Sequence, residues 1–248
     1  MMPAISLRGV GKRFRIPHAH RPQTLHEALT RGFGRLEPAH TFWALRDIDF
    51  DVESGSSLGL IGANGAGKST LLRLIAKVGR PDTGTIDVQG RISALLDLGA
   101  GFHPDLTGRE NVIVSAVIMG MSHAGVVRRF DEIVSFAELE ASIDNPLRTY
   151  STGMRMRLAF AVAALGDPAI LLVDEVLAVG DVAFQHKCTR RIAEMRAHGC
   201  TMVLCSHDTN LILELCDRAV WLERGRIADS GEARPVLEAY TFAAEHHV

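Results

Sequence analysis

The sequence predicts an α/β fold in which helices pack on a mixed sheet, and three patterns support this prediction. Short strand-like runs alternate with longer stretches that have the apolar spacing of helices. Several of the short runs are continuously apolar, as in strands that are buried on both faces. One run instead alternates apolar and acidic residues, which is typical of a strand with one exposed face. The 248 residues are 47% apolar, which is enough to bury a substantial core.

The strands can be placed along the chain from these patterns. Ile48, Phe50 and Val52 alternate with aspartates and predict a half-buried strand in an antiparallel β subdomain. Buried strands of the mixed sheet core are predicted for four apolar segments: Ser57–Gly62, Ala169–Val173, Thr201–Cys205 and Ala219–Leu222.

The helical patterns fall into three regions. Residues 102–166 have few strand signals and predict a helical subdomain inserted in the α/β core, within a single domain over residues 1–248. Ala233–Val248 predicts a terminal helix. Between Pro17 and His40, Leu25, Leu29 and Phe33 recur at a spacing of four. This spacing fits either a short amphipathic helix or a surface loop with one helical turn, and the sequence leaves both open.

Composition excludes several classes of protein. Lys plus Arg number 27 and Asp plus Glu 29, so there is no basic excess, and we expect no nucleic-acid partner. The longest apolar runs, Val112–Met121 and Leu158–Gly166, are too short to span a bilayer. The N-terminus lacks a secretory signal, and the four cysteines have no Cys-x-x-Cys pairing. We therefore expect a soluble protein of the cytoplasm.

A glycine-rich segment between an apolar run and a helical pattern predicts a phosphate-binding loop. It has the pattern Gly-x-x-x-x-Gly-Lys-Ser and consists of Gly62, Ala63, Asn64, Gly65, Ala66, Gly67, Lys68, Ser69 and Thr70. The glycines let backbone N–H groups point at phosphate oxygens, and the following helix adds the positive end of its dipole. Lys68 can reach the β- and γ-phosphates, and the Ser69 hydroxyl can ligate Mg²⁺. The sequence therefore predicts a nucleoside triphosphate site.

Two carboxylates follow the apolar run Ala169–Val173. Alone, Asp174 and Glu175 would indicate only a strand that leaves the core for solvent. Beside a phosphate loop, Asp174 can contact Mg²⁺ together with Ser69, and Glu175 can hold the attacking water as its base. A kinase or a GTPase would satisfy this combination equally well.

A helix start at Ser151 narrows the class of protein. Ser151 suits an N-cap, and by itself it would indicate an ordinary capped helix. It stands, however, between the phosphate loop and the acidic strand, and the segments Val179–Asp181 and Cys205–Asp208 follow in order. Over nearly the whole chain this arrangement resembles the ATP-binding cassette (ABC) ATPases, which have a P-loop NTPase fold.

The resemblance implies roles for these segments. Tyr150–Met154 would be a variant of the signature motif, usually Leu-Ser-Gly-Gly-Gln, and Ala178–Asp181 would be the D-loop. His207 would be the switch histidine that contacts the γ-phosphate. Two copies would bind ATP between them in a homodimer, with Ser151 and Gly153 acting on the other copy's nucleotide.

Three segments are similar to one branch of this family, the exporters of O-antigen, capsule and teichoic acid: Leu95–Asn111, Tyr150–Met154 and Phe42–Asp47. The long Pro17–His40 connection fits the same branch. The resemblance implies an ATPase that drives export of a lipid-linked polysaccharide. It would lie at the cytoplasmic face of the inner membrane, bound to a separate integral membrane permease.

The sequence also departs from the family pattern. The Q-loop glutamine has no counterpart, since Leu98 or Gly99 takes its place. The aromatic residue that stacks on adenine is His40, Phe42 or Trp43. Because the chain ends at Val248, we expect no C-terminal carbohydrate-binding domain.

Other functions remain open at this stage. The chain could serve another ABC transporter, or be a soluble ABC ATPase of DNA repair or translation. The single cassette and the absence of a long coiled coil count against the soluble class. A P-loop small-molecule kinase would leave Tyr150–Met154 and His207 without a role.

Overall fold

The computed structural model describes residues 3–16, 40–96, 101–174 and 180–246. The helix or loop predicted for Pro17–His40 lies almost entirely outside these ranges. The strands are β1 (Pro3–Ile16), β2 (His40–Glu53), β3 (Ser57–Ile61), β4 (Thr83–Val88), β5 (Ile92–Leu95), β6 (Ile170–Asp174), β7 (Thr201–Cys205), β8 (Arg218–Glu223) and β9 (Arg226–Glu232). The helices are α1 (Lys68–Ile75), α2 (Gly108–Ile118), α3 (His123–Ala137), α4 (Thr152–Ala164), α5 (Val182–Ala197), α6 (Thr209–Leu215) and α7 (Ala233–His246).

The strands of the described ranges form two sheets, and the larger has six strands in the order β5-β6-β7-β3-β8-β9. Its first five strands pair in parallel, and β9 pairs antiparallel to β8. The predicted mixed sheet is confirmed. Because parallel strands end at the same edge, the residues that follow β3, β6 and β7 are brought to one side of the sheet.

The central strands of the larger sheet, β3, β6 and β7, are buried on both faces. Successive side chains of β6 alternate between two core clusters: Leu171 and Val173 pack with α4, α5 and α7, whereas Ile170 and Leu172 pack with α1 and the first two strands. A central strand therefore favours apolar residues on both of its faces, which explains the continuous apolar runs in the sequence.

The smaller sheet is antiparallel, in the order β2-β1-β4. Ile48 and Val52 are buried, whereas Asp47 and Asp49 are exposed, as the alternating pattern predicts. Asp47 has a positive φ of 53°, and the pairing of β1 with β2 is interrupted by several register shifts. This sheet covers one face of the core beside α1.

Residues 101–166 form a helical region with its own apolar cluster. The helices α2, α3 and α4 pack around Val112, Ile133 and Leu158, which are all fully buried. Thr107 and Glu110 make a reciprocal capping box at the start of α2, and the Ser122 and Ser151 side chains cap α3 and α4. A 3₁₀ turn, Leu147–Thr149, leads into α4.

Two further findings concern the cysteines and the apolarity of the helices. All four cysteines are buried and unbridged. Within the described ranges, the helices are too short or too polar for any to cross a lipid bilayer.

Candidate nucleotide-binding site

The phosphate loop runs from the end of β3 to the start of α1, and two of its glycines are required by space. A Cβ on Gly62 would lie 2.1 Å from the Leu222 carbonyl oxygen. A Cβ on Gly67 would lie 2.6 Å from the Ala44 carbonyl oxygen. Both residues also have positive φ, 142° and 107°, which favours glycine. The loop is therefore held tightly between β8 and β2.

The Lys68 side chain lies inside the curve of the loop. It is only 5% exposed, and its Nζ donates hydrogen bonds to the carbonyl oxygens of Gly62, at 2.7 Å, and Ala63, at 3.1 Å. Two neutral acceptors leave the charge of this nearly buried ammonium uncompensated by these contacts. Burying a charge without an ionic partner is costly, so the site favours an anion.

The start of α1 adds to this preference for an anion. Gly67, at the N-cap, has no side chain to cap the helix, and the first turn contains no acidic residue. The N–H groups of the first turn therefore receive no cap from Gly67 and no carboxylate from the turn itself, and the helix dipole adds positive potential there. Ser69, on this turn, is exposed.

A groove of about 380 Å³ adjoins the loop and is lined on one side by two aromatic rings. Phe14 and Phe42 are 42% and 47% exposed, and their ring centroids are 5.9 Å apart at an interplanar angle of 31°. Exposed ring faces beside a phosphate site are suited to a nucleotide base. The sequence analysis missed Phe14, because only the register of β1 against β2 places it opposite Phe42.

The other two candidates for base stacking differ from Phe42. Trp43 follows Phe42 in the strand, so it points to the opposite face of the sheet. There its ring contacts the guanidinium groups of Arg13, at 4.9 Å, and Arg46, at 5.9 Å. His40 is the first residue of β2, and its side chain lies outside the described part of the structure.

Asp174 is the last residue of β6, and one of its carboxylate oxygens has no partner. Oδ1 is buried, and no hydrogen bond reaches it from the described residues. An orphaned buried carboxylate oxygen is costly unless a cation or water meets it. The donor set at this edge, a carboxylate and the Ser69 hydroxyl, has the hard oxygen ligands that Mg²⁺ prefers. Glu175 lies outside the described residues.

His207 is exposed and lies at the same edge of the sheet, two residues after β7. The turn around it is built by its neighbours. The Ser206 hydroxyl accepts a hydrogen bond from the Asp208 N–H at 3.0 Å, and the Asp208 carboxylate caps α6. Cys205 pairs with Asp174 across the sheet, so His207 and Asp174 leave neighbouring strands at the same edge.

The structure does not bring Ser151 and Gly153 to this groove. Ser151 Oγ accepts a hydrogen bond from the Met154 N–H at 3.1 Å, so Ser151 is the N-cap of α4, as the sequence predicts. Ser151 is exposed and Gly153 is half-buried, and neither residue is among those that line the groove. Within one copy, the capped helix and the phosphate loop are separate surfaces.

A side chain that the sequence analysis did not consider, Arg157, ties α4 to the segment after β6. Its guanidinium group donates to Glu138 at 2.8 Å and to Asp181 at 2.6 Å, and it lies 4.9 Å from the centre of the Phe184 ring. The pKa of Asp181 is held below its ordinary value, mainly by the hydrogen bond that its carboxylate accepts from the Phe184 N–H. The positive charge of Arg157 lowers this pKa further. Spacing alone gives no signal for such a pairing, since the residues are distant in sequence.

Solved structures share this fold. The chain matches a dimeric ATP-binding cassette in a post-hydrolysis state, bound to ADP and Pi, with a TM-score of 0.73 at 21% identity, covering 93% of this chain and 99% of that one. It matches an ATP-binding subunit of an ABC transporter with a TM-score of 0.75 at 22% identity, covering 96% and 93%. The fold and the phosphate loop together define the class: the protein has the cassette fold of these structures, with a P-loop between β3 and α1.

Sequence comparison identifies the family. Residues 45–178 match the family model described as ABC transporter. The O-antigen export system ATP-binding protein RfbB of Klebsiella pneumoniae is 40% identical over 243 residues, which are 97% of this chain and 98% of that protein. The chain therefore belongs to the ABC transporter family. The resemblance inferred from the motifs is confirmed, and the small-molecule kinase alternative is wrong.

Other relatives are longer than this chain. The O-antigen export system ATP-binding protein RfbB of Myxococcus xanthus is 44% identical over 96% of the chain, which spans 56% of that protein. The teichoic acids export ATP-binding protein TagH of Listeria innocua is 40% identical over 83% of the chain, and the match spans 61% of that protein.

Proposed function

We propose that the protein is the ATP-hydrolysing subunit of an ABC exporter that moves a lipid-linked polysaccharide across the cytoplasmic membrane. The observation that carries the ATPase part is the nearly buried Lys68 ammonium, held by two neutral carbonyl oxygens beside the open start of α1. The cargo class rests on the relatives, which are named for export of O-antigen and of teichoic acids.

The phosphate loop and the aromatic groove bind the two ends of ATP. Backbone N–H groups of residues 62–67 and of the first turn of α1 cradle the phosphates. Lys68 exchanges its bonds to the Gly62 and Ala63 carbonyl oxygens for bonds to the β- and γ-phosphates. The base lies in the groove against Phe42, with Phe14 beside Phe42 on the same side of the groove.

Hydrolysis uses the residues at the edge of the larger sheet. Ser69 and Asp174 would hold Mg²⁺, which would neutralise charge that develops on the phosphates. Glu175 orients the attacking water and accepts its proton, and His207 donates a hydrogen bond to the γ-phosphate. Positioning and charge stabilisation supply most of the rate in phosphoryl transfer, so each group acts mainly by its place.

The complete site forms between two copies of the chain. Ser151 and Gly153 lie on a surface separate from the groove, so they can complete the phosphate site of the other copy but not their own. ATP then stabilises the closed dimer, because the γ-phosphate makes contacts that ADP lacks. Closing on ATP and opening after hydrolysis would drive a separate integral membrane permease at the cytoplasmic face of the membrane.

The proposed function is tested by capture from the native host. A tagged Glu175→Gln protein should keep ATP and Mg²⁺ and stay closed, so it is recovered from detergent-solubilised membranes with ATP present. Mass spectrometry should find a multi-span membrane protein and a polyprenyl-linked glycan. Glu238→Gln, at an exposed position on α7, is the matched control. This variant should hydrolyse ATP and release the membrane protein. Capture of DNA, ribosomes or a soluble partner without any membrane protein would refute the transporter.

A further inference from the structure

The start of α4 is joined backbone to backbone to the loop that precedes α2. Four N–H groups make this connection between residues 104–109 and residues 143–148. They are Gly108 to the Asn145 oxygen at 3.2 Å, Arg109 to Ile143 at 2.9 Å, Leu147 to Leu106 at 2.8 Å and Arg148 to Pro104 at 2.8 Å. The second of these segments ends two residues before Tyr150, so the loop and the entry to α4 form one hydrogen-bonded unit.

A buried amide holds the loop in shape. Asn111 is 1% exposed, and its side-chain oxygen accepts from the His103 N–H at 2.7 Å. Its side-chain nitrogen lies 3.0 Å from the His103 oxygen, 3.2 Å from the Leu106 oxygen and 2.9 Å from the Thr107 oxygen. A fully satisfied buried amide is costly to disturb, so residues 103–107 keep one conformation.

Tyr150 closes this unit from the other side. The side chain is 4% exposed, and its hydroxyl donates to the Ser142 carbonyl oxygen at 2.5 Å. A Cβ on Gly108 would lie 2.3 Å from the Tyr150 oxygen, so the hydroxyl is packed directly against the first residue of α2. Burial raises the pKa of Tyr150, which keeps the hydroxyl a neutral donor.

We propose that Tyr150 is a positioning residue whose hydroxyl fixes Ser151, and with it the surface that meets the other copy's nucleotide, to Ser142 after α3 and to Gly108 at the start of α2. The inference rests on the proposed function. Ser151 follows Tyr150 directly, so the path of the chain into α4 depends on where the tyrosine side chain is held. The signature motif usually has leucine at this position, and leucine cannot make the bond to Ser142.

The test separates nucleotide binding by one copy from ATP-dependent closure of the two copies into a dimer. In the Glu175→Gln background, Tyr150→Phe should raise the ATP concentration for half-maximal dimer formation about 2- to 10-fold, the range for one buried hydrogen bond. Dimers are measured by light scattering after size exclusion. Binding of a fluorescent ADP analogue, which uses only the phosphate loop side, should be unchanged.

Tyr240→Phe is the matched control. The chain has two tyrosines, and the ring of Tyr240 packs edge-on against Trp221 with the ring centroids 5.6 Å apart. Like Tyr150→Phe, this change removes one hydroxyl oxygen and keeps the ring. It should leave ATP-dependent dimer formation as it is. Gly108→Ala should weaken dimer formation in the same direction as Tyr150→Phe. The double variant should lose less than the two single effects combined, because one 2.3 Å clash is then absent.

The outcomes are distinguishable. If Glu175→Gln alone formed no dimer with ATP, the proposed function would fall, and the inference with it. If that dimer formed and Tyr150→Phe left its ATP dependence unchanged, the inference alone would fall. The inference would also fall if Tyr150→Phe lowered the melting temperature and weakened ADP binding together with dimer formation. The residue would then have a role in folding only.

Discussion

Removing the Phe42 ring tests whether the groove beside the phosphate loop binds a base. The ring is 47% exposed, so a base can cover part of its face. Stacking on an aromatic side chain contributes about 1–3 kcal/mol per base by alanine substitution. Since about 1.4 kcal/mol is tenfold, Phe42→Ala should raise the Kd for ATP about 5- to 150-fold.

The two rings should not contribute equally. Phe14 is tilted by 31° from Phe42, so one flat base cannot lie parallel to both. Phe14→Ala should therefore cost less than Phe42→Ala, and the double variant should bind ATP more weakly than either. Isothermal titration with the Mg²⁺ complex of ATP measures all three.

Inorganic tripolyphosphate supplies the decisive comparison, because it has the phosphates without the base. Its affinity should be the same in wild type and in all three variants. Phe242→Ala removes a ring from α7 that is 65% exposed and lies outside the groove, and it serves as the control. The reasoning is refuted if ATP binds the Phe42→Ala protein as it binds wild type, or if tripolyphosphate and ATP lose affinity together.

Three further predictions follow from the same structure. Lys68→Met should abolish ATP hydrolysis by more than about 100-fold with an unchanged circular dichroism spectrum; measurable turnover near the wild-type rate would contradict the role of the ammonium. Asp174→Asn relieves a buried carboxylate with an orphaned oxygen, so it should raise the Tm of the nucleotide-free protein by about 2–4 °C and stop Mg²⁺-dependent hydrolysis; a lower Tm would refute the first part. The pKa of Asp181 is lowered in the folded protein, so its carboxylate stabilises the fold above the unfolded-state pKa of about 4 and loses that effect as pH falls through the folded pKa. Asp181→Asn should therefore lower the Tm at pH 7 and have little effect at the acid end of a pH series, and a constant difference across the series would be the contrary result.

The local elements of the fold could be predicted from the sequence because their signals are short-range. The apolar run of β3, the glycines after it and the helix behind Lys68 are consecutive, so one stretch of chain specifies the strand, the loop and the anion site. Ser151 is likewise a local signal, since a cap bonds to an N–H three residues away. Asp174 was predicted to contact Mg²⁺ from its position after a buried strand.

Only the tertiary structure decided the contacts between distant segments. Phe14 lies beside Phe42 because of the register in which β1 pairs with β2. A shift of that register by one residue would turn the Phe14 side chain to the other face of the sheet. Arg157 reaches Glu138 and Asp181 because α3, α4 and α5 meet there. Neither pairing has a period or a spacing that could be read along the chain.

The clearest division between the two lies at Tyr150. The sequence by itself determined that this residue stands directly before a capped helix. It could not show that the hydroxyl bonds to Ser142 and packs on Gly108, because those contacts depend on how the loop before α2 folds against residues 143–148. Sequence determines what each segment is when its bonds are local, and packing determines which segments act together, since a buried polar group is satisfied by whatever neighbour the fold brings to it.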